Sequence, residues 1–551
     1  MPTHRSRRQR ARVGPVLIGV MPLVVPALFI VARHPHIDWS DDRALTELAV
    51  RQAAHGRQLL GVGGRFGWRH PGPVWIYLLV PLYELSGHAS WSLAVGALAI
   101  HVVMIGMAVG AATRSAGLRG AAVLSGLVAV YLASTGIGLW TNPWAGYAFT
   151  WPLLALVVVA SIGMSDVRAG WALAGAFAVG SLLVKTDVST AVPVVTILAV
   201  ATAVRLARFG TRRVFAGPRG AHTGAHTGAE PVRSAHTRGA RRVRIVDPPA
   251  VALFAAAALA WVPPLIQQFT TSPGNMTLLV RFARQGAGGQ SIRTALAAVG
   301  SALSVVPFGA RWVLSPGLTA HLAPGPWWAV GLPIVYAGAI LGVAVVAYRR
   351  GRRWAADLAV LTLLALAAAV FSMSKVDGPI NFYLLTWVSI LPVPAVTSAV
   401  LALAPEATRR RDPVAILALA VGTVLAAVLI VGQGSTFDWD HSRASDVASG
   451  TLLAEQDLGR PEGIIRVHIL TPDTWEVASG VALQLAREGN RIQVDPAWVF
   501  LFGDAYKTTA AAPAGELWFA RPREASLVAG DHQVASLGEF DGIDLFARND
   551  T

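Results

Sequence analysis

Apolar runs of about 17 to 25 residues recur from residue 13 to residue 432, and this recurrence limits the fold more than any other feature of the chain. A run of that length crosses roughly 30 Å of hydrocarbon as a helix, the segment shape that satisfies its own backbone where no water is at hand. Only 14% of the 551 residues are charged and the mean hydropathy is +0.52, well outside what a soluble core of this length requires. The expected fold is therefore an all-α polytopic membrane protein. Its expected crossings are 13–32, 89–112, 120–139, 144–163, 170–187, 188–204, 250–265, 326–348, 354–373, 380–404 and 413–432, eleven in number. Segment 72–87 is short, and 292–314 carries Arg293 and Arg311. If both crossed, the count would be thirteen.

The net charge of +15 does not point to nucleic acid, because the arginines sit at the ends of apolar runs and not on one polar face. Arg5, Arg7, Arg8, Arg10 and Arg12 put the N-terminus on the cytoplasmic side of the plasma membrane, with the first run read as a retained helix. Residues 33–88, the loops near 141, 185 and 374, residues 266–325 and everything after 433 then face outward. The basic loop 205–249 faces inward. Its ten arginines and near-repeats AHTG, AHTG and AHTR read as a disordered linker beside anionic lipid. With no cysteine, disulfides and thiolate metal sites are excluded.

Beyond 1–434, the tail 435–551 changes character. GIIRVHIL reads as a strand, TWEVASGVALQLAREG as an amphipathic helix closed by Gly489, and RIQVDP, GELWFA, HQVASLGEF and IDLFAR as further strands. These make a small extracytoplasmic α/β domain without a Gly-rich phosphate loop.

The stretch HIDWSDDRALTELAVRQAAHGRQLLG concentrates Asp38, Asp41, Asp42 and Glu47 in a chain poor in charge. Ser40 can cap a helix there, with Asp41 and Asp42 in its first turn; Arg43, Glu47 and Arg51 fall on one face, and Leu45, Leu48, Ala49 and Ala53 on the other. Such a helix is expected to lie on the membrane surface, with Glu47 partnered by its flanking arginines. One cap needs one oxygen, so Asp41 and Asp42 have carboxylate to spare for chemistry. Arg69 and His70 then precede a Pro-rich, aromatic entry, RHPGPVWIYLL, on the side where cations are unusual, and an anionic phosphate is their natural partner. Lys185 and Lys375 stand at the ends of apolar runs, where an ammonium snorkels or meets an anion. In WVPPLIQQFTTSPGNMTLLVRFARQGAGG, Gln267, Gln268 and Asn275 are expected to meet hydroxyls, Arg281 to meet phosphate, and the glycine-rich end to move as a lid.

DDRALTELAVRQAAHGRQLLG followed by RHPGPVWIYLL resembles the first outer loop of the GT-C membrane glycosyltransferases, especially bacterial aminoarabinose transferases and protein O-mannosyltransferases. LLVKTDVSTAVPVV, WTNPWAG and FSMSKVDGPINFYLLTWVSILP resemble later segments of that family, so the likeness touches most of residues 13–432. Asn142 stands where the family usually carries Asp, which leaves Asp187 or Asp377 as the second carboxylate, and Gly72 interrupts the usual Pro pair.

The resemblance implies transfer of a sugar from a polyprenyl-phosphate donor to an envelope glycan, lipid or protein acceptor on the outer face, with inversion. Asp41 would be the base, ahead of Asp42 and Asp38. Lys185, Lys375, Arg69, His70 and Arg281 would hold the donor phosphate, and Asn142, Asp187, Gln267, Gln268, Asn275 and Tyr383 would line the substrate loops. No organic cofactor is implied, and a divalent metal at the acidic pair is left open. A transporter of lipid-linked sugars would instead place charges at the bilayer midplane and repeat its two halves, features this sequence lacks. A non-catalytic assembly protein would keep the fold alone.

Overall fold

The computed structural model describes residues 4–64, 66–166, 169–209, 248–285, 289–304, 327–405, 412–433, 444–458, 463–528, 534–540 and 542–549. The bulk of the inward loop 205–249 and residues 305–314 of the ambiguous segment lie outside them. Among the described residues, eight helices are long and apolar enough to cross a membrane: Val13–Arg33, Trp91–Thr135, Ala145–Ser165, Val188–Phe209, Ala250–Thr270, Trp327–Arg349, Arg353–Ser374 and Pro413–Gly432. Gly170–Thr186 and Pro392–Leu403 are shorter apolar helices on two further expected crossings. Helix Trp91–Thr135 holds two, divided at Gly117, whose φ of 64° is a conformation glycine adopts without strain. The expected span 380–404 is corrected: Phe382–Leu385 is a single 3-10 turn, and the helix proper starts only at Pro392, which suits a first helical position. The ambiguous segments contribute the short helices Val74–Leu85 and Ile292–Leu303.

Small residues let the helices approach. Gly126 lies against the backbone of Ala418, where a Cβ would meet the carbonyl at 2.8 Å, and Gly422 faces Gly126 in turn. Polar side chains tie buried helices together, with the Tyr131 hydroxyl 2.6 Å from Ser389 Oγ and Trp354 Nε1 donating to Ser161 Oγ at 2.9 Å. Helix Thr150–Ser165 runs through the middle, nearly every residue buried.

The C-terminal part is a five-stranded sheet in the order β2-β1-β3-β5-β4, from β1 (Ile464–Ile469), β2 (Arg491–Val494), β3 (Gly515–Ala520), β4 (Ala535–Phe540) and β5 (Ile543–Asn549). β1 pairs parallel with β2 and β3, whereas β5 pairs antiparallel with β3 and β4. Helix Trp475–Arg487 joins β1 to β2, ends before Gly489 at φ 101°, and packs on the sheet together with helix Ala444–Leu458. The latter is an element sequence reading missed.

The apolar core of this sheet unit is completed by Ile37, Trp39, Ala44, Leu45 and Leu48 from the first outer stretch. Ala49, Val50 and Ala53 of the same helix, Asp41–Ala54, pack instead with Trp75, Ile76 and Leu79 of the helical bundle. This helix is therefore a seam between the two parts and not an amphipathic element laid on lipid. Its polar face is buried as well, because helix Trp475–Arg487 covers it.

Candidate active site

The seam helix begins in an unusual way. Asp41 has φ 56°, which Asp tolerates better than most side chains, and the expected Ser40 cap does not form. Asp41 takes over that role: its Oδ1 accepts from the Arg43 backbone N–H at 2.9 Å and from Arg43 Nε at 3.1 Å, while Oδ2 accepts from Arg43 Nη2 at 2.7 Å. Both oxygens of Asp41 are thus engaged by a buried guanidinium that also lies over the Trp39 ring.

Asp42, the next residue, is half-buried, and among the described residues its carboxyl accepts no hydrogen bond. Burial, with Asp41 and Glu476 adding like charge, pushes this carboxyl up to about 8 from an ordinary 3.8, against the opposing pull of Arg43. Glu476 comes from the first turn of helix Trp475–Arg487, whose Ser479 Oγ reaches the Asp41 carbonyl at 3.4 Å. Tyr147 is within electrostatic reach of Asp41, Asp42 and Tyr383. The Trp144 ring stands edge-on to Tyr147 and Tyr383, at centroid distances of 5.1 and 5.2 Å. Asn142 belongs to the same loop, where its Oδ1 accepts from the Trp144 N–H at 2.9 Å and shapes the turn. Carboxyls, amide and aromatics from four sequence-distant segments therefore meet at one end of the bundle. Tyr147 and Glu476 were missed by sequence reading, since neither sits in a motif.

Two other acids of the stretch, Asp38 and Glu47, are held by partners from elsewhere in the chain. Asp38 accepts from Gln484 Nε2 at 2.6 Å and lies 3.1 Å from His36 Nε2. Glu47 is fully buried, and its partner is Arg487, at 3.0 and 2.9 Å in a two-pronged pair, joined by the Tyr83 hydroxyl at 3.0 Å. The expected pairing of Glu47 with Arg43 and Arg51 is thereby corrected. Arg51 donates to the Ala486 carbonyl instead. The tail that clamps them is more than 400 positions away, invisible to local patterning.

A second group surrounds the HPGP entry. Lys185 is 1% exposed; its Nζ is 3.4 Å from the Ala257 carbonyl and 5.4 Å from the centre of the Trp261 ring, and among the described residues no carboxylate pairs with it. Its stem packs on Gly72 so closely that a Cβ there would meet Lys185 Cγ at 2.6 Å, which explains glycine between the two prolines. His70 Nδ1 accepts from the Val188 N–H at 3.2 Å and lies 3.9 Å from Asp187; burial lowers the imidazole pKa, so the ring is neutral there. Asp187 Oδ1 accepts from the Ser189 N–H at 2.7 Å. Arg69 is buried, donates through Nε to the Gly61 carbonyl at 3.0 Å, and lays its guanidinium against Gly503 of the C-terminal unit. Burial brings it down to about 10. Trp75 Nε1 donates to the Pro143 carbonyl at 2.8 Å, linking this group to the Asn142 loop.

In the stretch 261–289 the amides expected to meet hydroxyls have partners within the protein. Gln267 Oε1 accepts from the Asn275 N–H at 3.0 Å, and Gln268 Oε1 from the Met276 N–H at 2.9 Å. Asn275 holds the Arg69 backbone by two bonds of 2.8 Å. These amides cap the N-terminus of helix Asn275–Gln285, whose first N–H groups need such partners. Arg281 and Lys375 are exposed, and the Lys375 ammonium lies 5.6 Å from the centre of the Phe371 ring. Among the described residues no group of three His, Asp or Glu side chains is placed to hold a metal ion.

No protein-family model matches the sequence, and no curated protein matches it. Two solved structures are similar over 97% of both chains: ArnT from Cupriavidus metallidurans in the apo state, at 14% identity and a TM-score of 0.52, and the same protein bound to undecaprenyl phosphate, at 15% and 0.48. The first, with a TM-score above 0.5, shows that this chain shares the fold of that protein along nearly its whole length.

Proposed function

We propose that this chain is a membrane glycosyltransferase that moves a sugar from a polyprenyl-phosphate donor to an envelope glycan, lipid or protein acceptor at the outer face of the plasma membrane. One observation carries the reading: beside the fully engaged Asp41, the Asp42 carboxyl has no hydrogen-bond donor among the described residues, and burial pushes it up to about 8. That is the state in which a carboxylate serves best as a general base. We therefore give the base role to Asp42 and not to Asp41, the residue matched first by family resemblance; the free carboxyl of Asp42 beside the engaged Asp41 supports that choice. Asp41 positions Arg43 and the start of the helix.

In the reaction, the acceptor oxygen forms a bond to the anomeric carbon while the bond from that carbon to the donor phosphate breaks. The acceptor proton passes to Asp42, and a single displacement inverts the centre. Negative charge grows on the departing polyprenyl phosphate, and the buried Lys185 ammonium, held without a carboxylate among the described residues, is suited to meet it. Trp144, Tyr147 and Tyr383 offer an aromatic wall for the sugar.

The test is transfer of radiolabelled sugar from a panel of polyprenyl-phosphate sugars by the full chain in nanodiscs, wild type beside Asp42→Asn and Lys185→Ala. Label released from lipid by wild type and lost in Asp42→Asn supports the reading. Donors that bind but never turn over would overturn it.

A further inference from the structure

A cavity of about 360 Å³ opens at the end of the bundle opposite Asp42, lined by Val16, Gly106, Met107, Gly110, Thr113, Arg114 and Trp171. Its place follows from the helices that form it. Trp91, stacked on His34 at 5.0 Å, begins the helix at the Asp38 end, and by Arg114 that helix has climbed about 35 Å, a full hydrocarbon thickness. Trp171 likewise opens the helix whose far end carries Lys185.

The cation at this mouth differs from its neighbours. Arg119 pairs with Asp412 at 2.6 Å, Arg208 with Asp357 at 2.5 Å, Arg205 donates to the Gly163 carbonyl at 2.6 Å, and Arg350 to the Ala402 carbonyl at 3.0 Å. Arg114 is exposed, and among the described residues it makes no hydrogen bond or ion pair; its guanidinium rests 5.0 Å from the centre of the Trp171 ring. Below it the wall is glycine. A Cβ at Gly106 or Gly110 would meet nothing within 4 Å, so no protein neighbour requires glycine there, and the two positions keep the cavity open.

We infer that this cavity binds an anionic glycerophospholipid, one acyl chain lying along Gly106 and Gly110 and the headgroup phosphate held by Arg114 beside the Trp171 indole. An apolar slot ending in an uncommitted guanidinium matches both halves of such a lipid. The slot lies between helices of the bundle, whereas a second copy's helix would need a face some 10 Å wide. On the expected topology this end faces the anionic cytoplasmic leaflet.

Native mass spectrometry of the full chain in detergent, titrated with phosphatidylglycerol or phosphatidylcholine of the same chains, tests this. Wild type is expected to retain phosphatidylglycerol at least tenfold better. Gly110→Leu fills the slot and is expected to lose that binding, while Arg114→Gln is expected to lose the preference between headgroups. Gly331→Leu, another position with open space around its Cβ, is the control and should bind as wild type. Equal retention of the two lipids by wild type would overturn the inference, as would full phosphatidylglycerol binding by both variants. Crosslinking of two copies through a probe at position 110 would overturn it in favour of a helix partner.

Discussion

The two halves of helix Asp41–Ala54 carry the same kinds of residues and do opposite things with them. At the N-terminal end the Asp41–Arg43 pair leaves the Asp42 carboxyl without a hydrogen bond among the described residues and pushed up to about 8; five residues on, Glu47 is buried and gripped by Arg487 and Tyr83. The difference lies in what packs above them. The last turn of helix Trp475–Arg487 brings a cation, Arg487, to Glu47, whereas its first turn brings another carboxylate, Glu476, toward Asp42. One helix is thus anchored by an ion pair at its centre and left, among the described residues, with an unpartnered carboxyl at its tip.

Changing Asp42 should separate the two ends most sharply. Asp42→Asn is expected to lower transfer by about 10² to 10⁴-fold, the range a positioned base supplies, while the protein stays folded. A carboxyl raised to about 8 in the fold from 3.8 binds its proton more tightly when folded, so stability is fully present below the lower value and declines as pH climbs toward the higher. Asp42→Asn removes that decline, and thermal scans from pH 5 to 9 should show the variant gaining on wild type as pH rises.

Arg487→Ala should break the other end. Leaving Glu47 buried without its cation is expected to cost about 3–5 kcal/mol, measured by thermal or denaturant unfolding, and Glu47→Gln in the same background should recover much of that loss.

Smaller effects test which polar residues merely build the frame. Asn275→Ala removes the two bonds to the Arg69 backbone and should cost about 1–3 kcal/mol while each folded molecule keeps its turnover. Arg281→Ala and Lys375→Ala, both exposed, should change stability by less than about 0.5 kcal/mol and leave KM for donor unchanged.

The membrane helices were legible because twenty apolar residues in lipid have little alternative to a helix, and the sheet unit because period-2 and helical patterns alternate along 464–549 with glycine at the stop. The start at Pro392 was misplaced since apolar composition does not distinguish a turn from a helix inside a bundle. Helix Ala444–Leu458 carries too mixed a pattern to stand out.

Of the site, Asp41, Asp42, Asn142 and Tyr383 were found through their motifs, and the structure brings them together. The contrast between Asp41 and Asp42 was hidden, because it depends on the left-handed backbone of Asp41 and on Glu476 arriving from the tail. Gln267, Gln268 and Asn275 looked like ligand groups for the opposite reason. A polar side chain in an apolar stretch has the same appearance whether it awaits a substrate or closes the first turn of the next helix.

The most direct test of Asp42 as the base is the pH dependence of kcat/KM for sugar transfer, measured from pH 5.5 to 9.5 on wild type in nanodiscs. The expected profile rises about tenfold per pH unit and levels off near 8, the titration of the Asp42 carboxyl. A profile flat from pH 6 to 9, in an enzyme that does transfer the sugar, would contradict the assignment.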